Sequence, residues 1–341
     1  MEACSMAATL LDVASSAGVS TSTVSRYLSG QLRLTDTTER RIQQAIEELG
    51  YIPNASARRL AGGRTGIIGL VLPGMANPFF ASFADSVAEA ALGQDLSVLL
   101  CATRDSKQNE ERYTDLLAAR AVDGLIYLGM YRTNKRLTRT IAEGLPVVVV
   151  DETIDGAAEA SSITVDNFSG AYQATQHLIT NGHREIAYVG GPSELMTERE
   201  RRRGYTAAMG AAGLAMDPEQ MLSGPYSESF GASVLPHLLT RTPRPTALFC
   251  ASDYTALGVL STVDMYGLRV PDDLAIVGFD DAPITQYTRP RLTTVRQPVA
   301  ALAHGAVELL NERIMDPDRP VRRVTLPVEL IIRDSSRAQT S

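Results

Sequence analysis

From Gly66 onward, short apolar runs alternate with longer amphipathic stretches, and this alternation constrains the fold more than any other feature. The runs cover 67–72, 96–101, 124–128, 147–150, 163–165, 186–189, 247–250 and 275–279, with a last strand-like stretch over 324–332. They are near-continuously apolar rather than alternating, so the strands are expected to be buried on both faces, with helices crossing between parallel neighbours. That pattern predicts an α/β fold. The first run ends Val71-Leu72-Pro73-Gly74 and a later one Val189-Gly190-Gly191-Pro192. The echo predicts two similar lobes, each a doubly wound parallel sheet.

The residues before this region read differently, as three short helices. Thr9 followed by Asp12 is a capping-box pattern that opens a helix carrying Val13 and Ala14 inward, and Gly18 breaks it. Ser20 starts a second helix, 21–28, with Val24 and Leu28 on one face. A third begins at Thr35, has Asp36 and Glu39 near its positive end, and places Ile42, Ile46 and Leu49 on one stripe before Gly50 stops it. Helix, glycine turn and capped helix are the parts of a helix-turn-helix. The second helix is expected to expose Thr21, Ser22, Ser25 and Arg26. Short hydroxyls and an arginine suit the base edges and phosphates of double-stranded DNA.

A net charge of −7 does not contradict this, because its location matters more than its sum. Residues 1–64 hold seven arginines and six acids, a balance of +1, which leaves −8 for the remainder. Between the two regions, Pro53-Asn54 marks a break, Asn54 can cap a segment over 55–61, and Gly62-Gly63 forms a joint. That segment is shorter than the roughly 12–15 residues an isolated helix needs in water, so it is expected to order only against a partner. Paired with its two-fold mate in a dimer, it can enter the minor groove, with Leu60 wedged between base steps and Arg58 and Arg59 on phosphates.

In open α/β sheets, ligands bind beyond the carboxyl ends of the strands. Residues that follow the strands here include Asn77, Phe79, Phe80, Asp151, Thr197, Arg201, Tyr226, Ser252, Asp253 and Asp280. Rings that cover C–H faces, acids that accept hydroxyl protons and one forked donor predict a polyhydroxylated, sugar-like ligand.

The chain also resembles the lactose/galactose repressor (LacI/GalR) family. Over residues 9–60 the carrying residues are Asp12-Val13-Ala14, Ala17-Gly18-Val19-Ser20, Thr23-Val24-Ser25-Arg26, Leu49-Gly50-Tyr51, Pro53-Asn54 and Ala57-Arg58. Beyond them the likeness runs through Asn77-Pro78-Phe79-Phe80, Gly182-His183, Ala256-Leu257-Gly258, Gly278-Phe279-Asp280-Asp281 and Leu292-Thr293-Thr294-Val295. The resemblance implies a headpiece over 1–52, a hinge helix over 53–63 with an intercalating Leu60, and a periplasmic-binding-protein-like core over 64–341. It implies an N-lobe over about 66–165 plus 296–327 and a C-lobe over about 166–293 plus 328–335. It makes Thr21, Ser22 and Arg26 the main base readers and adds Thr35, Asn54 and Ala57 as DNA contacts. Arg201 and Asp280 become the principal effector contacts. Phe79, Phe80, Asp151, Thr197, Tyr226 and Ser252 become pocket lining, with Gln297 at the lobe crossover. The expected protein is a repressor on a near-palindromic operator, released by a sugar or sugar derivative; some members instead need a corepressor, such as a nucleobase.

Other classes fit poorly. The P-loop, H-E-x-x-H, G-x-S-x-G and G-x-G-x-x-G patterns are absent, so no enzyme is expected. Asp280 and Asp281, adjacent on a strand end, are expected to point apart and cannot flank one glycosidic bond. Cys4, Cys101 and Cys250 have no metal-ligand spacing, and no metal or cofactor is expected. Residues 1–8 lack a basic start followed by an apolar core, and no long apolar run exists, so a cytoplasmic protein without a membrane span is expected. His183 reads as a structural loop residue, and Arg199, Arg202 and Arg203 as a solvated helix face. No leucine heptad follows the last strand-like stretch, which favours a homodimer over a tail-linked tetramer.

Overall fold

Among the described residues, the N-terminal unit has three helices: α1 (Leu10–Ala17), α2 (Thr21–Leu28) and α3 (Asp36–Leu49). The Thr9 hydroxyl accepts from the Asp12 amide at 3.3 Å and the Asp12 carboxylate accepts from the Thr9 amide at 2.8 Å, closing the expected capping box. Gly18 ends α1 with φ 64°, a left-handed turn in which a side chain is strained. Ser20 accepts from the Thr23 amide at 3.1 Å, which starts α2 after that turn. Val13, Ala14, Ala17, Val24, Ile42 and Ala45 form the core, and Tyr51 closes its end. The stripe on α3 differs from the expected one. Ile42 is fully buried, but Leu49 is 39% exposed, and Tyr51, folded back after Gly50, joins the core instead.

This computed structural model describes residues 8–28, 32–51 and 64–337. The chain divides into two units, residues 1–67 with 120–123 and residues 68–119 with 124–341. The larger unit contains two six-stranded sheets. The first has the order β11-β5-β4-β3-β1-β2, from β1 (Ile67–Leu72), β2 (Ser97–Ala102), β3 (Gly124–Tyr127), β4 (Val147–Val150), β5 (Ser161–Val165) and β11 (Arg323–Leu326). The second has the order β12-β10-β9-β8-β6-β7, from β6 (Ile186–Gly190), β7 (Met221–Ser223), β8 (Ala247–Cys250), β9 (Ala275–Asp280), β10 (Thr293–Arg296) and β12 (Glu329–Ile331). From β1 through β3, β4 and β5 to β11 the first sheet is parallel. In the second, β12 runs antiparallel to β10 and the other pairs are parallel.

Helices α4 (Pro78–Leu92), α5 (Lys107–Ala118), α6 (Lys135–Ala142) and α11 (Val299–Met315) accompany the first sheet. The second has α7 (Asn167–Thr180), α8 (Met196–Ala211), α9 (Glu228–Leu239) and α10 (Asp253–Leu260). Apolar strand residues such as Leu70, Ile126, Val148, Tyr188, Phe249 and Val277 are fully buried, as their continuous runs require.

Three sequence expectations change. The stretch 324–332 is two strands, β11 and β12, that join different sheets, because the chain crosses between lobes near Pro327. The run at 96–101 becomes an edge strand with Leu99 and Leu100 each more than 40% exposed, so it is not buried on both faces. Strands β7 and β10 form where no apolar run marks them. Strand β10 carries Thr293 and Thr294, which are buried only because Thr294 donates to Asp253 at 2.6 Å and the Thr293 hydroxyl bonds Ser336 at 2.7 Å. Burial pushes the Cys101 thiol up to about 11 and raises that of Cys250, as inert core thiols require. Among the described residues no helix is long and apolar enough to cross a membrane.

Candidate DNA interface and effector cleft

On α2, Val24 faces the core while Thr21, Ser22 and Arg26 are exposed and Ser25 is half-buried. At helical spacing, 21, 22, 25 and 26 share one face, so one surface presents three hydroxyls and a guanidinium. Tyr27 anchors α2 to α3, its hydroxyl donating to Glu39 at 2.8 Å and lying 3.1 Å from the Gln43 side chain. Thr35 is exposed at the start of α3, its hydroxyl 3.0 Å from that of Thr38. Asn54, Ala57, Arg58 and Leu60 lie outside the described residues.

The larger unit gathers all eight predicted effector residues around one solvent-connected cleft whose water-accessible space is about 30 Å³. Most come from loops or first turns that follow strands, while Thr197 and Arg201 lie on α8. Phe79 and Phe80 sit in the first turn of α4, where Asn77 caps the helix by accepting from the Phe79 amide at 3.0 Å. Asp151 follows β4 with φ 63°, Ser252 follows β8, and Asp280 ends β9 with φ 126°. The last angle is one that L-residues rarely adopt, a strain of about 1–3 kcal/mol that the surrounding bonds must hold. Asp280 accepts from Gln297 at 2.8 Å and from Ser252 at 3.1 Å, and its carboxylate lies 3.9 Å from Arg201. Arg201 donates to Asn167 at 2.8 Å and to the Ala251 carbonyl at 2.6 Å, with its guanidinium carbon 3.8 Å from the Phe279 ring centre.

The electrostatics are acidic. Burial pushes Asp280 up to about 6, against the pull of the Arg201 guanidinium. Burial also raises Asp151, again opposed by Arg201. Two buried acceptors in the lining, Asp151 Oδ1 and Gln297 Oε1, have no hydrogen-bond partner among the described residues. The cleft therefore demands hydrogen-bond donors.

Some expectations are revised. Thr197 is present, but its hydroxyl donates to Glu152, which leaves it only acceptor capacity toward a ligand. Asp253 does not line the cleft; it accepts from the Ala282 amide at 2.8 Å and from Thr294 behind the sheet. Arg202 is not simply solvated, since it pairs with buried Glu198 at 3.1 Å and lies over the Tyr188 ring. Asp281 turns away from Asp280 toward Arg296 at 2.7 Å and Arg333 at 2.5 Å, as expected of neighbours at a strand end. The His183 ring is held 3.0 Å from the Thr246 hydroxyl. Glu152, Leu128, Met130 and Leu195 also line the cleft, and strand-end reasoning does not pick them out. For Glu152 the only signal in the sequence is its place beside Asp151.

Two family models match the chain: bacterial regulatory proteins, lacI family, over residues 9–54, and a periplasmic binding protein-like domain over residues 175–336. The HTH-type transcriptional repressor PurR of Aliivibrio fischeri (strain MJ11) is 35% identical over 332 residues, covering 96% of this chain and 98% of that one. The chain belongs to the LacI family. It is therefore a DNA-binding transcriptional regulator. Among solved structures, this LacI-family chain is similar to a complex of the transcriptional regulator CelR with cellobiose, at 33% identity, with a TM-score of 0.74 and coverage of 96% and 99%. It is also similar to the Lac repressor dimer bound to operator and the anti-inducer ONPF, at 26% identity, with a TM-score of 0.81 and coverage of 97% and 99%. Both comparisons cover the regulator from its headpiece through the second lobe.

Proposed function

We propose that this regulator is a cytoplasmic, non-enzymatic repressor that acts as a homodimer on a near-palindromic operator. Its operator affinity is set by a neutral, polyhydroxylated effector bound between the two lobes. The observation that carries the effector class is the pair of unpartnered buried acceptors, Asp151 Oδ1 and Gln297 Oε1, beside the Asp280 carboxylate. A sugar offers several hydroxyl donors at close spacing and apolar C–H faces to Phe79, Phe80 and Tyr226, whereas an anionic ligand would meet carboxylates. The bound cellobiose of the CelR neighbour supports this class. A nucleobase is the second reading, because the same rings can stack on a planar heterocycle and full-length relatives carry the name PurR.

Calorimetric titration with D-glucose, D-ribose, cellobiose, hypoxanthine and guanine separates the two. Binding of a sugar but of neither base is expected; tight binding of a base with no sugar response would reverse the assignment. The pH dependence follows from Asp280. A ligand hydroxyl donates to the ionised carboxylate, so binding favours the deprotonated form and protons compete with the ligand. With Asp280 held at about 6 in the free protein, sugar affinity should fall about ten-fold between about pH 7.5 and about pH 5. A flat profile over that range would remove Asp280 from the contact set.

The face of Thr21, Ser22, Ser25 and Arg26 is proposed to read bases in the major groove, with Thr35 on the backbone. The role proposed for 53–63 rests on its sequence: too short to be a stable lone helix, it can order when two copies meet on the duplex. Leu60→Ala is expected to weaken operator binding about ten-fold while leaving effector affinity intact. An equal loss of both, in gel-shift and calorimetry, would contradict the hinge role. The exposed apolar side chains of Leu92, Leu99 and Leu100 on and beside the edge strand β2 support dimer formation, which sedimentation measures directly.

A further inference from the structure

Helix α8 begins without a cap of its own. Its N-cap position is Leu195, which has no side-chain acceptor. Six other helices of the two-lobed unit start on Asn77, Ser106, Asn134, Asp166, Ser227 or Ser252, each accepting from its own first turn. At α8 the acceptor comes from the other sheet. Glu152, just past β4, accepts from the Met196 amide at 2.6 Å, from the Thr197 amide at 3.3 Å and from the Thr197 hydroxyl. A carboxylate of one lobe thus fills the role that a side chain at position 195 would fill in the other.

The placement suits the chemistry. A helix N-terminus carries partial positive charge and unpaired amides, and a carboxylate satisfies both. Arg201 lies one turn beyond Thr197 on the same helix face, and Asp151 is the chain neighbour of Glu152. Whatever holds the start of α8 against the end of β4 also sets how far apart Asp151 and Arg201 stand.

We propose that Glu152 is a positioning residue that caps α8 in trans and holds the two lobes together in the ligand-free protein. The cap exists only while the lobes are closed, so opening costs α8 its N-terminal acceptor. Glu152 does this whatever molecule the cleft takes; its link to regulation rests on the effector reading above. In a regulator whose binding-competent state is closed, removing the cap lowers the closed fraction and weakens effector binding by that fraction.

Hydrogen exchange on the full-length free protein tests this without any ligand, so its failure and that of the effector reading are separable. In Glu152→Ala the amides of Met196 and Thr197 should exchange about ten-fold faster, while the first-turn amide of Ser169, capped within its own lobe by Asp166, stays unchanged. Small-angle scattering of the same variant should give a larger radius of gyration. Glu152→Gln, which keeps a carbonyl acceptor, should show a smaller acceleration confined to the same amides, and it serves if the alanine variant does not fold. Unchanged exchange at 196–197, or an acceleration spread evenly over the lobe, would overturn the proposal.

Discussion

Arg201→Ala is expected to abolish the effector response while operator binding in the absence of effector persists. Arg201 is 3% exposed and is the one cation among the described residues that line the inner cleft. It opposes Asp151 and Asp280, bridges Asn167 and the Ala251 carbonyl, and stacks on Phe279. Removing it leaves two buried carboxyl groups without their counter-charge. Truncating a buried, hydrogen-bonded charged group at a binding site costs about 2–5 kcal/mol of affinity, so sugar affinity should fall about 100-fold or more. Both acids should then move further up, which favours their protonated, hydrogen-bond-donating form. Arg201→Lys keeps the charge but not the fork that reaches Asn167 and Ala251 together, and should lie between alanine and wild type. Calorimetry with the sugar identified by titration, and gel shifts with and without it, report the two properties separately. A variant that still responds would show that another residue carries the binding energy.

The second large effect is on stability and involves no charged group. A Cβ on Gly231 would meet the Thr255 carbonyl oxygen at 2.0 Å, and one on Gly258 would meet the Glu228 carbonyl oxygen at 2.0 Å. Each contact is with the facing helix backbone, so no side chain can rotate away and α9 and α10 must move apart. Gly231→Ala is therefore expected to lose about 3 kcal/mol, the upper end for overpacking. That corresponds to about 10 °C in the melting temperature of a lobe-sized unit. Gly210 is the control. It is also helical, nothing lies within 4 Å of where an added methyl group would sit, and alanine there should stabilise by about 0.5–1 kcal/mol. Scanning calorimetry of the two variants should shift in opposite directions; equal shifts would mean that the close crossing of α9 and α10 is not what glycine serves.

How much of this is legible in the sequence depends on whether the cause is local. Capping at Thr9, the left-handed turn at Gly18 and the burial of Val24 follow from neighbours within a few residues, and each appears where the sequence places it. The residues of the cleft are legible for a different reason. Parallel sheets put their carboxyl ends on one side, so residues that follow strands are collected there whatever lies between them. Phe79, Asp151, Arg201 and Asp280 are far apart in the chain and meet for that reason alone.

The residues that escape share the opposite property. Glu152 resembles any surface acid until α8 arrives from the other lobe with Leu195 at its cap position. Arg202 resembles a solvated arginine until Glu198 is buried beneath it. Thr197 looks like a free hydroxyl, yet its donor is already committed to Glu152.

By itself, then, the chain's apolar periodicity, caps and glycine turns determined a three-helix headpiece and two parallel-sheet lobes, and strand-end chemistry determined which side chains would meet. Only the tertiary structure decided which acceptors remain unpartnered, which helix is capped from across the cleft, and where two helices approach too closely for a methyl group. The physical reason is range. Periodicity and capping are settled by backbone geometry within a few residues. Satisfaction and close approach depend on partners as distant in the chain as His177 and Ser336, whose side chains meet at 2.8 Å and which no local pattern pairs.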